Sequence, residues 1–224
     1  TLLGIMKELN EGDTYACVYA NIEAAQAARH DVDSGIDTVC SAIAGRIELY
    51  LKDSTLKEWF HKGEGRTTPA KEKLTEMLKV WSTTTPKPTV LFLDEVDALV
   101  GDTLISLLRQ LRAGYDTRPA SFPHSIILCG VRDIKDYRIH TSTQEIITGG
   151  SAFNVKAKSL RMGSFSEEEC KELWLQHTQE TGQVFDESIF PKLWSDTKGQ
   201  PWLVNALGYQ LTWEIEELRD RSKP

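Results

Sequence analysis

What the 224-residue sequence lacks narrows the possibilities first. No apolar run approaches the roughly 18 residues of a membrane span, and no charged-then-apolar opening reads as a signal peptide. Bases are outnumbered, 26 Lys and Arg against 33 Asp and Glu, a formal charge of -7. That balance argues against a broad electrostatic grip on nucleic acid, which needs clustered bases. Cysteine is sparse. Cys17, Cys40, Cys129 and Cys170 form no C-x-x-C pair, and three of them sit in apolar periodic stretches. They read as free thiols in a reducing cytoplasm rather than as disulfides or a zinc site. The five histidines show no metal spacing, and Ser and His form no nucleophile elbow. There is no internal repeat. What is present is hydrophobicity, 40% of residues, enough for a sizeable core and against a disordered chain.

The apolar residues have readable periods. Leu2, Ile5, Met6 and Leu9 predict a helix stopped by Gly12, and residues 14–20 predict a strand. Ile36, Val39, Cys40, Ile43, Ala44, Ile47 and Leu51 form one helical stripe over about 35–52. A short helix follows at 54–61, and Leu74, Met77, Leu78 and Trp81 mark another. After the Thr/Pro breaker at 83–89 comes a bare apolar run, Thr89 to Leu93, the pattern of a strand buried on both faces of a parallel sheet. Asp102 is placed to cap a helix striped by Leu104, Leu107, Leu108 and Leu111. Ser125 to Cys129 reads as another buried strand, residues 138–152 as a surface loop, and Phe153 to Ala157 as a last strand. From Ser166 the chain reads as helical. Ser166 and Glu169 suit a capping box and Gly182 a stop. Helices near 186–196 and from about 201 to 218 follow, the last striped by Leu203, Ala206, Leu207, Leu211, Ile215 and Leu218. Trp81, Trp174 and Trp202 are expected to pack. The expected architecture is an α/β core over residues 1–160, a parallel sheet sandwiched by helices, with an all-helical appendage over 161–224.

The sharpest chemical signal is Val90-Leu91-Phe92-Leu93-Asp94-Glu95: four apolar residues ending in two carboxylates. Ligands of open parallel sheets bind outside the carboxyl ends of strands. One acid there can hold magnesium while its neighbour orients a water. The same pair would also serve as a solvated cap of the next element.

Leu93-Asp94-Glu95-Val96-Asp97-Ala98-Leu99 resembles the Walker B motif of P-loop ATPases of the AAA+/STAND group. The resemblance implies a P-loop NTPase-like sheet with a helical lid and the cofactors ATP and Mg2+. It gives Asp94 to the metal and Glu95 to the general-base role, with Asp97 structural. Arg132, just past the strand that follows, matches the place of a γ-phosphate-sensing arginine, while pairing with Asp133 or Asp136 would account for it equally. Gly199-Gln200-Pro201 resembles the G-x-P element that this group carries near the nucleotide, although helix capping alone explains it. Arg109, Arg112 and Arg118 are expected to be solvated rather than to serve as an arginine finger.

No G-x-x-x-x-G-K-[ST] occurs. Gly63-Glu64-Gly65-Arg66-Thr67-Thr68 is a decoy, with Arg where Lys belongs and a helix before it. Thr1-Leu2-Leu3 resembles the segment just after the lysine of such a loop, so the resemblance puts the first strand and phosphate loop upstream of Thr1. Thr1 is then the magnesium-binding hydroxyl or the residue after it, while a plain helix N-cap would account for it equally in either case. The implied function is an ATPase switch with slow turnover and with protein partners or self-association through its core. The alternatives are a nucleotide-gated interaction module with little hydrolysis, and a helical scaffold with no ligand.

Overall fold

The computed structural model describes residues 2–131, 138–140, 146–148 and 158–219. The three apolar runs become parallel strands β1 (Ala16–Asn21), β2 (Thr89–Asp94) and β3 (Ser125–Leu128), side by side in that order. The register pairs Ala16 with Thr89, Asn21 with Asp94 and Val90 with Ser125, so all three strands end close together. β2 lies in the middle with Val90 to Leu93 buried, which is why it carries no polar alternation.

Alternate residues face opposite layers. Cys17, Val90 and Phe92 pack with Met6 of helix α1 (Leu2–Glu11). Val18, Ala20, Leu91 and Leu93 pack into a larger core. That core is built by α2 (Val32–Leu51), α3 (Thr55–Lys62), α4 (Ala70–Thr84) and α5 (Gly101–Ala113). The predicted stripe of α2 is its buried face: Ile36, Val39, Cys40, Ile43 and Ile47 are fully covered. Each buried aliphatic chain of this size contributes about 1.5–3 kcal/mol. Asn10, at the far end of α1, clasps β1 through both the N–H and C=O of Cys17 (2.8 and 3.0 Å). The chain therefore doubles back, and the first turn of α1 returns to the carboxyl end of the sheet.

Gln110 of α5 ties the core helices together. Its side-chain oxygen accepts from the N–H groups of Leu74 (2.9 Å) and Thr75 (3.3 Å), and its amide donates to Ala70 O and Ser106 Oγ, both at 3.0 Å.

Several expectations need correction. Asp102 does not cap α5. The helix begins one residue earlier, at Gly101 with φ +64°, and the carbonyl of Arg29 accepts from Thr103 N (3.1 Å) where a cap side chain would have served. Asp102 instead meets His30 Nδ1 at 2.9 Å. Residues 138–152 are not loop throughout. β4 (Arg138–His140) pairs antiparallel with β5 (Ile146–Thr148), and the β-branched run Ile146-Ile147-Thr148 suits that pairing. The strand expected at 153–157 lies outside the described residues.

The chain divides into two compact units, 1–159 and 160–224. Among its described residues the second is helical: α6 (Glu167–Thr181), α7 (Ile189–Thr197) and α8 (Pro201–Tyr209). The Ser166–Glu169 capping box and the left-handed Gly182 are both observed. The final helix is shorter than expected, giving way after Tyr209 to a wider turn over Gln210–Glu214. Its buried face is also not the predicted one. Val204 is buried and Leu211 half-buried, with Gly208 against the Trp174 indole, whereas Leu203, Leu207 and Ile215 are exposed. The indole settles the choice, because Trp174 Nε1 donates to Val204 O (3.1 Å) and turns that side inward. Trp81 and Trp174 pack as expected, but Trp202 is 71% exposed. The four cysteines are free thiols, and no described helix is long and apolar enough to cross a membrane.

Candidate functional site

The carboxyl ends of three neighbouring strands gather polar groups contributed from distant parts of the sequence. β2 delivers Asp94, β1 delivers Tyr19, and Cys129 follows β3. Asp94 Oδ2 accepts from the Tyr19 hydroxyl at 2.6 Å, and Oδ1 accepts from Glu95 N at 3.0 Å. The Cys129 thiol also bonds Asp94. The Asp94 bond, with some burial, pushes the Tyr19 phenol up to about 12. Burial, reinforced by Asp94, pushes the Cys129 thiol up to about 11. Both therefore stay protonated and act as hydrogen-bond donors at neutral pH.

Glu95 sits in left-handed backbone, φ +59° and ψ 37°. For a residue with a Cβ this conformation costs on the order of 1–2 kcal/mol. The peptides on either side hold it there: Ile22 N donates to Asp94 O (3.1 Å), and Val96 N donates to Cys129 O (3.1 Å). Both neighbouring strand exits thus stitch the turn. Removal from water, then the charges of Asp94, Asp97 and Glu23, raise the Glu95 carboxyl above its ordinary value. Asp97 Oδ1 is buried and has no hydrogen-bond partner among the described residues. It lies beside Gly130, where a Cβ would fall 2.6 Å from it.

Three carboxylates at the end of β2, with Glu23 just past β1, create a field that favours a cation. Among the described residues no group of three His, Cys, Asp or Glu side chains encloses a metal ion. A divalent ion at Asp94 would therefore complete its shell from water and phosphate oxygens, which is how Mg2+ is commonly held.

The remaining candidates are dispersed. Thr1 and Arg132 lie outside the described residues. Gly199 and Pro201 belong to the second unit, where local geometry accounts for both. Gly199 has φ +68°, and a Cβ there would come within 1.9 Å of Phe165 O, so only glycine fits. Pro201 opens α8, capped by Gln200 Oε1 accepting from Leu203 N at 2.7 Å. The decoy at 63–68 is a tight turn in which Gly65 makes room for the Trp59 ring. Arg118 is half-buried, 5.0 Å from the Tyr115 ring and 5.5 Å from that of Phe122, a stacked residue rather than a solvated one. Tyr19 and Cys129 had no motif to mark them; their only signal is position, at or near a strand's carboxyl end beside the acidic one.

No protein-family model, curated protein or solved structure matches the chain.

Proposed function

We propose that this chain carries the magnesium and water-activating side of an ATPase site of the P-loop AAA+/STAND type, and that ATP hydrolysis there acts as a conformational switch. One observation carries the reading. The adjacent carboxylates Asp94 and Glu95 leave the middle strand of a parallel sheet at its carboxyl end, and the second is pinned in left-handed backbone with its carboxyl raised. The two acids thus leave the strand in different backbone conformations, and strain of this kind clusters at functional sites.

In this reading Asp94, fixed by its hydrogen bonds, would hold Mg2+, which when bound would neutralise phosphate charge. Glu95 accepts the proton of the water that attacks the γ-phosphate. Its raised pKa makes it a better base than an ordinary glutamate. The first turn of α1 lies at the same sheet end, where backbone N–H groups suit phosphate oxygens. Arg132 would sense the γ-phosphate, Thr1 would contribute at the start of α1, and Gly199 and Pro201 would belong to the lid.

Phosphate release by the full-length protein with ATP and Mg2+ tests this. Glu95→Gln should cut turnover by at least about 100-fold while ATP remains bound, the lower range for loss of a general base. Unchanged release would remove Glu95 from the chemistry. ATP binding without measurable release in the parent protein would favour the nucleotide-gated interaction module.

A further inference from the structure

Asp94 is an acceptor-only group with four lone-pair positions on two oxygens. The Cys129 thiol takes one of them, and two more are taken in an orderly way. Oδ1 is tied to the next peptide through Glu95 N, and Oδ2 to a different strand through the Tyr19 hydroxyl. Tyr19 stands opposite Phe92 in the β1–β2 register and reaches diagonally two residues along to Asp94. Its ring packs with the apolar layer under α1, so the hydroxyl is presented by a fixed body and not by a mobile side chain. Without that bond, the carboxylate would be restrained by its own neighbouring peptide and the Cys129 thiol alone.

We infer that Tyr19 is a positioning residue for the cation: its hydroxyl locks the Asp94 carboxylate in one orientation and occupies one lone pair of Oδ2, leaving what Glu95 N, Tyr19 and the Cys129 thiol do not take for the ion or its water. This rests on the reading of Asp94 as the magnesium-holding residue. The consequence is specific. Tyr19 touches neither nucleotide nor attacking water, so its loss weakens cation binding and leaves the chemical step intact once cation is saturating.

The test titrates free Mg2+ into the full-length protein with a fluorescent ATP analogue and reads the midpoint of binding, with phosphate release measured at saturating Mg2+. Tyr19→Phe should raise the midpoint about tenfold, the lower end of what losing a ligand's hydrogen-bond partner costs. Release at saturating Mg2+ should stay within about twofold of the parent, a split between binding and turnover. Tyr19→Leu, a second hydroxyl-free side chain, should shift the midpoint in the same direction, and thermal melts taken in parallel report any loss of folding separately. A midpoint unmoved in both variants, while Asp94→Asn does move it, overturns the role of Tyr19 and leaves the site standing. A midpoint unmoved by Asp94→Asn overturns the underlying reading instead.

Discussion

Two polar clusters lie in the first unit, and they are built on opposite terms. Around Gln110 both ends of a buried amide are satisfied by named partners on two helices, and no net charge is buried. At the end of β2 the groups are charged, mutually repelling and incompletely paired. Glu95 is held in an unfavourable backbone conformation, and Asp97 Oδ1 lacks a partner among the described residues. A satisfied buried network specifies structure. An unsatisfied charged one costs stability, and such a cost persists where something outside the chain completes it. The contrast predicts that substitutions should destabilise at the first cluster and stabilise at the second.

The largest effect is expected at Gln110. Gln110→Leu keeps the volume but removes the acceptor shared by the N–H groups of Leu74 and Thr75, takes the donor from Ser106 Oγ and puts an alkyl chain against Ala70 O. Unsatisfied buried groups of this kind should cost about 3 kcal/mol, visible as a lower denaturant midpoint with an unchanged slope. A change below about 0.5 kcal/mol, the range of ordinary surface substitutions, would show that the amide is not needed by the core.

Glu95 should behave in the reverse sense. Glycine carries no Cβ penalty in left-handed backbone. Glu95→Gly should therefore raise stability by about 1 kcal/mol, measured by the same denaturant titration, while eliminating turnover. A loss of stability would mean that the turn is held by the side chain and not by the flanking peptides.

The same contrast explains how much could be read from the sequence. The core is built from long periodic segments, so α2, β2 and the Asp94–Glu95 pair at its end were legible from spacing alone. The three-residue strands β4 and β5 are too short to establish a period. Over residues 203–211 two stripes compete, Leu203-Leu207-Leu211 and Val204-Gly208-Leu211, and only the distant Trp174 indole chooses between them. Asp102 lost its capping role to a backbone carbonyl in a loop 73 residues away, a competitor that no local rule contains. The site divides likewise. Asp94 and Glu95 are consecutive and announce themselves. Tyr19 precedes Asp94 by 75 residues, and only the parallel register brings them together. The Gly199–Pro201 element was legible as a cap, and capping accounts for the geometry of both residues.

The smallest expected effect is also the most specific to the charged cluster. Folding raises the Glu95 carboxyl pKa, first by removing it from water and then through Asp94, Asp97 and Glu23. The folded chain therefore binds that proton more tightly than the unfolded chain does. The stabilisation this provides is complete below the unfolded value, about pH 4. It is lost as pH rises through the higher folded value, and above that the ionised carboxylate is a net cost of folding. Glu95→Gln removes the charge and keeps the shape, so at pH 7 it should melt slightly higher than the parent. Because the group is partly solvated, the gain should stay within about 2 °C. The advantage should shrink on acidification and vanish near the ordinary carboxylate pKa, where the parent is protonated too. Melting curves of both proteins from pH 7 down to about pH 4 decide the matter. A constant offset across that range would trace the gain to something other than charge, and a glutamine variant less stable at pH 7 would mean that the ionised carboxylate has a stabilising partner.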